Sequence, residues 1–249
     1  FKAKANVDEI YSNMARAIEL MCSQGVQAVG SFIDVDPVIE DKAIKAAQKA
    51  RDAFKDDIEI KFINQVVKGV LDPEARKWFD VGAEFVDIIG GLPEKDEGKE
   101  AEHLDILLET AKKYGKPVHV HIDQYNIPSQ RDTELLARKT IEHDYKGKVV
   151  AVHGISIACQ PKDYREQLYK LMKEAELMVV TCPLASISSH RSEDMAPVHN
   201  TIVPAEEMLD AGLTIALGTD NINDIYMPFG DADMWSEMRT LLEACYIRD

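Results

Sequence analysis

Apolar and polar positions follow two rhythms along this chain, and the rhythms trade places from end to end. Residues 7–23 carry Ile10, Met14, Ile18 and Met21 at helical spacing, with Gly25 as the stop. A β-branched run follows at residues 26–34 and is closed by Pro37. The same exchange then recurs. Helices are expected at about residues 38–54, 72–82, 98–114, 132–143, 163–176 and 204–211, and from about 231 to the end. Strands are expected at 58–65, 85–90, 118–123, 149–153, 177–182 and 213–218, with a long loop at 184–200. Strands alternating with helices of this length imply an α/β protein with a parallel sheet. The strands are short, almost unbroken apolar runs, as expected of strands covered on both faces. No linker or composition shift divides the chain, so a single domain spanning residues 1–249 is expected.

The count of strands sharpens this picture. With the run at 26–34, seven strands are legible, whereas a closed parallel (β/α)8 barrel has eight. The chain opens on a helix, so the expected architecture is a TIM-type (β/α)8 barrel lacking strand one. The seven visible strands then become strands two to eight.

Composition narrows the class. The 249 residues are 45% hydrophobic and 29% charged, ordinary values for a globular domain. A net charge of −15 argues against a nucleic-acid surface, which needs clustered Lys and Arg. No apolar run approaches the ~20 residues of a membrane-spanning helix, so no membrane partner is expected. Cys22, Cys159, Cys182 and Cys245 show no CxxC and no regular spacing. They read as reduced thiols, the expectation for a cytoplasmic protein.

Candidate chemistry sits in three short strings. PVHVHIDQYN holds His121, VVAVHG holds His153 and ALGTDN holds Asp220, each at the end of an apolar run followed by turn residues. In a parallel barrel such strand tips share one face, where the chemistry of this fold is found. Two imidazoles and a carboxylate are metal-hydrolase donors in outline, and they suit one divalent ion of Zn, Fe or Mn without separating the three. Such an ion makes hydroxide from bound water near neutral pH, and a nearby imidazole can pass a proton to a leaving amine. Asp123, Asn126 and the loop 91–96 are placed to line a pocket by position alone. His119 shares its strand face with His121 and is expected deeper, in a supporting role. His103 and His143 fall on helices and are expected at the surface. His190 and His199 flank the long loop, where a surface role is expected. Trp78 and Trp235 are expected in a core or interface, and residues 94–100 as a solvated face.

These strings, together with 220–235 (DNINDIYMPFGDADMW), the segment 146–153 and the helix around 135–142, resemble the amidohydrolase superfamily in its cytosine-deaminase-like branch, s-triazine-degrading members included. The resemblance runs the length of the chain. It implies a distorted (β/α)8 barrel with an accessory β-sandwich built from both termini, and neither the sandwich nor strand one is expected within these residues. It implies hydrolysis of a C–N bond in a small nitrogenous, cyclic substrate, and one divalent metal. By the same resemblance His121 is a metal ligand, and Asp220 is a ligand that also takes a proton from the bound water. His153 is the general acid/base, and a His-x-His pair upstream of Phe1 completes the site. Gln65 matches a glutamine that hydrogen-bonds the substrate ring. Gln124 departs from the deaminase pattern, which has a proton-shuttling glutamate there, and an amide cannot shuttle protons. Asn221 matches the triazine-degrading members rather than the deaminases. Family members are commonly oligomeric, so a homo-oligomer is implied too.

Two rival readings stand beside this one. The chain by itself can be a catalytically silent fragment with an incomplete metal site. A phosphate-binding barrel is the other, but the loops TCPLASISSH and GTDNINDIY lack the glycine cradle it needs.

Overall fold

The computed structural model describes residues 2–188 and 202–248, so His190 and His199 lie outside the described residues. The chain resolves into two compact units, Phe1–His119 and Val120–Asp249.

In unit 1 a 3-10 turn, Lys2–Lys4, precedes helix α1 (Val7–Ser23). Asn6 caps it in a reciprocal box: the Glu9 amide donates to Asn6 Oδ1 at 3.0 Å, and the Asn6 amide donates to the Glu9 carboxylate at 3.2 Å. Strand β1 (Ala28–Asp34) pairs in parallel with β2 (Glu59–Gln65), in a register that sets Ala28 opposite Glu59 and Asp34 opposite Gln65. Between them runs α2 (Lys42–Ala53), which buries Ala43, Ala46, Ala47 and Ala50. It starts later than the pattern of residues 38–54 suggests. The Asp36 carboxylate accepts from the Val38 and Ile39 amides, and Glu40 sits at φ 55°, so a capped turn precedes the helix.

Helix α3 (Pro73–Phe85) has Asp72 as its cap, accepting from Glu74 and Ala75, and Pro73 in its first turn. The expected strand at 85–90 is corrected here: α3 runs on to Phe85, and β3 is only Ile89–Gly91. Side-chain packing explains the difference. Phe85 stacks on Phe62 at 6.0 Å under the Arg51 guanidinium, and Asp87 pairs with Arg51 while accepting from the Phe62 amide. A 3-10 turn, Pro93–Asp96, leads to α4 (Glu100–Tyr114), which ends at Gly115 in the left-handed region, φ 67°.

Strand β4 (Val118–Ile122) crosses the division between the units, with Val118, Val120 and Ile122 buried and His119 and His121 on the alternate face. In unit 2, α5 (Asp132–Glu142) leads to β5 (Val149–His153), α6 (Lys162–Glu174), β6 (Met178–Thr181) and a short α7 (Pro183–Ile187). Then come α8 (Ala205–Asp210), β7 (Thr214–Leu217) and α9 (Met234–Ala244). β5, β6 and β7 are parallel neighbours in that order. All five residues of β5 are buried, as its unbroken apolar run implies. β7 differs. Among the described strands it has a neighbour on one side only, and Thr214 and Ala216 are exposed.

The fold is therefore α/β with parallel strands. Among the described residues no helix is long and apolar enough to cross a membrane. Trp235 is 73% exposed and Phe229 95%, so Trp235 is not a core residue, whereas Phe79 is fully buried. Phe79→Ala is expected to cost ~3–5 kcal/mol of stability by urea unfolding, and Phe229→Ala within ~0.5 kcal/mol. Equal losses would contradict the assigned core.

Candidate functional site

The strand ends of unit 2 share an uncommon backbone. His153 closes β5 at φ 79°, Asp123 follows β4 at φ 52°, and Asp220 follows β7 at φ 58°. A non-glycine residue held there costs of order 1–3 kcal/mol, and such strain concentrates at functional positions. At His153 the next residue, Gly154, is also left-handed, φ 65°, so the chain turns sharply off the sheet. Two amides then clamp the turn: Gly154 donates to the Ile122 carbonyl and Ser156 to that of Asp123, both at 3.1 Å. The tips of β4 and β5 are thereby tied together. The result is a pair of imidazoles, His121 and His153, with ring centroids 5.2 Å apart and planes 35° from parallel. His153 is buried and His121 half-buried.

Asp123 is not a free pocket-lining group. It is buried, and its carboxylate accepts from the Asp132 and Thr133 amides and from the Thr133 hydroxyl at 2.6–3.0 Å. It therefore caps α5 from the strand end. Burial raises its pKa, against the pull of these hydrogen bonds. Asn126 is also buried and accepts from the Cys159 thiol. Gln124, two residues past β4, is half-buried.

At the end of β7, Asp220 is exposed. Asn221 turns inward on its own loop, its amide donating to Asp224, which also accepts from the Tyr226 and Met227 amides. Sequence reasoning missed Glu237. This α9 carboxyl is buried and accepts from the Leu184 amide at 3.0 Å, tying α9 to α7. Burial pushes its pKa up to about 7; Asp220, Asp231 and Asp233 push the same way, and the Leu184 amide opposes them. A signal was present: Glu237 shares the buried stripe of α9 with Leu241 and Cys245, where a carboxylate is out of place. Cys182 closes the same corner, buried, with its thiol against Gly218.

In unit 1, Gln65 ends β2 and donates to Asp34 across the strand pair at 3.5 Å. Asp34 also pairs with Lys2 at 2.8 Å. His103 is the clearest departure from expectation. It is fully buried, not at the surface, because Nδ1 meets the Asp96 carboxylate at 2.6 Å. Residues 94–100 accordingly are not a plain solvated face, since Asp96 turns inward.

Imidazole and carboxylate fit a divalent ion in kind. They do not fit in number: among the described residues no three His, Cys, Asp or Glu side chains converge enough to hold one.

The sequence profile of the amidohydrolase family matches residues 5–247. An uncharacterised protein of Haemophilus influenzae is 53% identical over 211 residues, covering 84% of this chain and 76% of that protein. The N-isopropylammelide isopropyl amidohydrolase of Pseudomonas sp. strain ADP is 28% identical over 236 residues, covering 92% of this chain and 55% of that enzyme. Among solved structures, 5-methylcytosine deaminase from Klebsiella pneumoniae liganded with 5-fluorocytosine superposes with a TM-score of 0.94 at 23% identity. That match covers 100% of this chain and 61% of the deaminase. The chain thus spans little more than half the length of the Pseudomonas enzyme and about three-fifths of the deaminase.

Burial lowers the pKa of His119 from 6.5 to about 4. The unfolded chain takes up that proton first, so His119 favours folding fully above about pH 6.5, and this contribution is lost as pH falls from 6.5 towards 4. An NMR titration of the His119 ring is expected to show a neutral imidazole throughout pH 5–8. A midpoint near 6.5 would mean a solvated ring.

Proposed function

The chain belongs to the amidohydrolase family, and from that premise we propose that its parent hydrolyses a C–N bond of a small, cyclic, nitrogenous substrate and releases ammonia or an amine. The observation that carries this reading is the His121–His153 pair, held at 5.2 Å on adjacent strand tips by a strained turn. In this reading His153 is the general acid/base that moves a proton between water and the leaving nitrogen, with Asp220 as its partner in proton handling. Gln65, Gln124 and Asn221 offer neutral amides to ring nitrogens and oxo groups. An amide at position 124 cannot carry a proton, which favours an s-triazine-like substrate over cytosine.

The reading includes one divalent ion, Zn, Fe or Mn, with His121 and Asp220 among its ligands. When bound, the ion supplies water activated at neutral pH. Catalytic zinc sites use three protein ligands, so further donors are needed, and a His-x-His pair on another strand is the expected source. The one-sided edge of β7 supports a further strand there, closing a (β/α)8 barrel. A second reading, that these 249 residues alone are silent, draws support from the missing third donor among the described residues.

His121→Ala and Asp220→Ala in the full-length protein are each expected to lower turnover at least ~10³-fold and to remove stoichiometric metal. Turnover of N-isopropylammelide and elemental analysis are the measurements. Undiminished rates in either variant sink the reading. Tight stoichiometric metal on residues 1–249 alone sinks the silent alternative.

A further inference from the structure

We propose that Asp96 and His103 are positioning residues for the substrate-binding end of β2: a buried His–Asp pair that holds Gln65 in place from the far side of the β2–β3 corner. The proposal rests on the reading of Gln65 as a residue that binds the substrate ring.

The corner is a closed circuit of contacts within unit 1. It starts beside Gln65 at Asn64, whose buried side-chain oxygen accepts from the Gly90 amide at 2.9 Å. Gly90 and Gly91 form the end of β3 and leave no room for side chains. A Cβ on Gly90 would stand 2.1 Å from the Asn64 carbonyl oxygen, and one on Gly91 would stand 2.2 Å from Leu107 Cδ1 and 2.8 Å from His103 Nε2. His103 therefore lies directly on the backbone of β3. Its Nε2 is buried with no hydrogen-bond partner among the described residues, and its Nδ1 meets Asp96 Oδ2 at 2.6 Å. The same oxygen accepts from the Val70 amide at 2.8 Å. Gly69, at φ 80°, passes so close that its Cβ would stand 2.3 Å from Asp96 Oδ1. Residues 66–70 are the loop that leaves β2 straight after Gln65, and the circuit closes there.

The chemistry suits positioning better than stability. A buried ionisable pair is a weak stabiliser compared with apolar residues of the same volume, because both groups lose their water. What the pair supplies is direction. One carboxylate oxygen orients a ring against β3 and a loop amide beyond β2 together, so neither strand end can shift without the other. The pair stands off from Gln65 itself, so it acts through backbone placement.

The test uses the full-length protein with Asp96→Ala, His103→Leu and His103→Asn, the last keeping a donor near the place of Nδ1. Amide exchange is read at Val70, Gly90 and Val35, whose amide donates to the Gln65 carbonyl at 2.9 Å. His103→Leu is expected to speed exchange at these three amides at least ~10-fold while α1 is unchanged, with His103→Asn restoring most of the protection. In turnover of N-isopropylammelide, His103→Leu is expected to raise KM ~10-fold with kcat within ~2-fold, and to add nothing once Gln65→Ala is present. Losses that multiply with Gln65→Ala, or unchanged exchange at Val35, overturn the positioning role. A silent Gln65→Ala overturns the substrate reading of Gln65 instead, and the exchange arm still decides whether the pair orders the corner. Should Asp96→Ala fail to fold, the two His103 variants decide alone.

Discussion

Unit 2 depends on the left-handed turn at His153. A strand buried on both faces has no polar side chains to spare along its length, so its chemistry gathers where the chain leaves the sheet. β5 is such a strand, and its one ionisable residue is its last. A relaxed backbone at that point would let the chain run on in the strand direction. The two successive left-handed residues, at φ 79° and 65°, turn it instead and allow the Gly154 and Ser156 amides to reach the end of β4. The strain is local, and the ladder and capping bonds around it hold it. The approach of the two imidazoles follows the closure of that turn.

Buried carboxylates do the organising around such corners in both units. Asp123 satisfies the first amides of α5, Glu237 holds the start of α7, and Asp96 holds the loop after β2. Each accepts from backbone amides that would otherwise be buried without a partner, a costly arrangement. Each is therefore committed to structure, however suggestive its place near a strand tip. Asp220 is the contrast: it stands exposed after β7, its backbone strained. Separating committed carboxylates from uncommitted ones is what the structure adds to a list of acidic residues at strand ends.

Much of this was legible in the sequence where a single period dominates. β5 is found with both ends as expected, and β4 within one residue, because β-branched runs bounded by Gly and Pro admit little else. The end of α3 was not legible. Residues 85–90 read as a strand by composition, yet Phe85 prefers the helix because its ring closes a stack with Phe62 and Arg51, two distant residues. His103 was misplaced for a similar reason. Helical position alone suggested solvent, and only the approach of Asp96, seven residues earlier at the end of the 3-10 turn, shows why an imidazole is buried there. The short α7 fell in a stretch expected to be loop, and its anchor, Glu237, lies 53 residues further on. Strand-end residues could be placed from sequence because they follow their own strand. The side chains that support them could not, because their partners come from elsewhere in the chain.

That asymmetry bears on how substrate preference would be set. In the proposed reading Gln65 and Gln124 face the substrate; as neutral amides they can donate and accept but not change charge, so they would suit a ring whose hydrogen-bonding edge is fixed. An amide discriminates only if its two faces cannot swap, since a freely rotating Gln presents donor and acceptor alike. Gln65 meets Asp34 through its NH2 group, which sets that group towards the carboxylate. Its oxygen can then accept, and the second N–H of the group can still donate. If Gln65 holds the substrate ring, as proposed, it offers an acceptor for a ring N–H and one remaining N–H for the adjoining oxo group, the pairing found on oxo-pyrimidines and oxo-triazines alike. Gln65 would then select for the lactam edge of the ring.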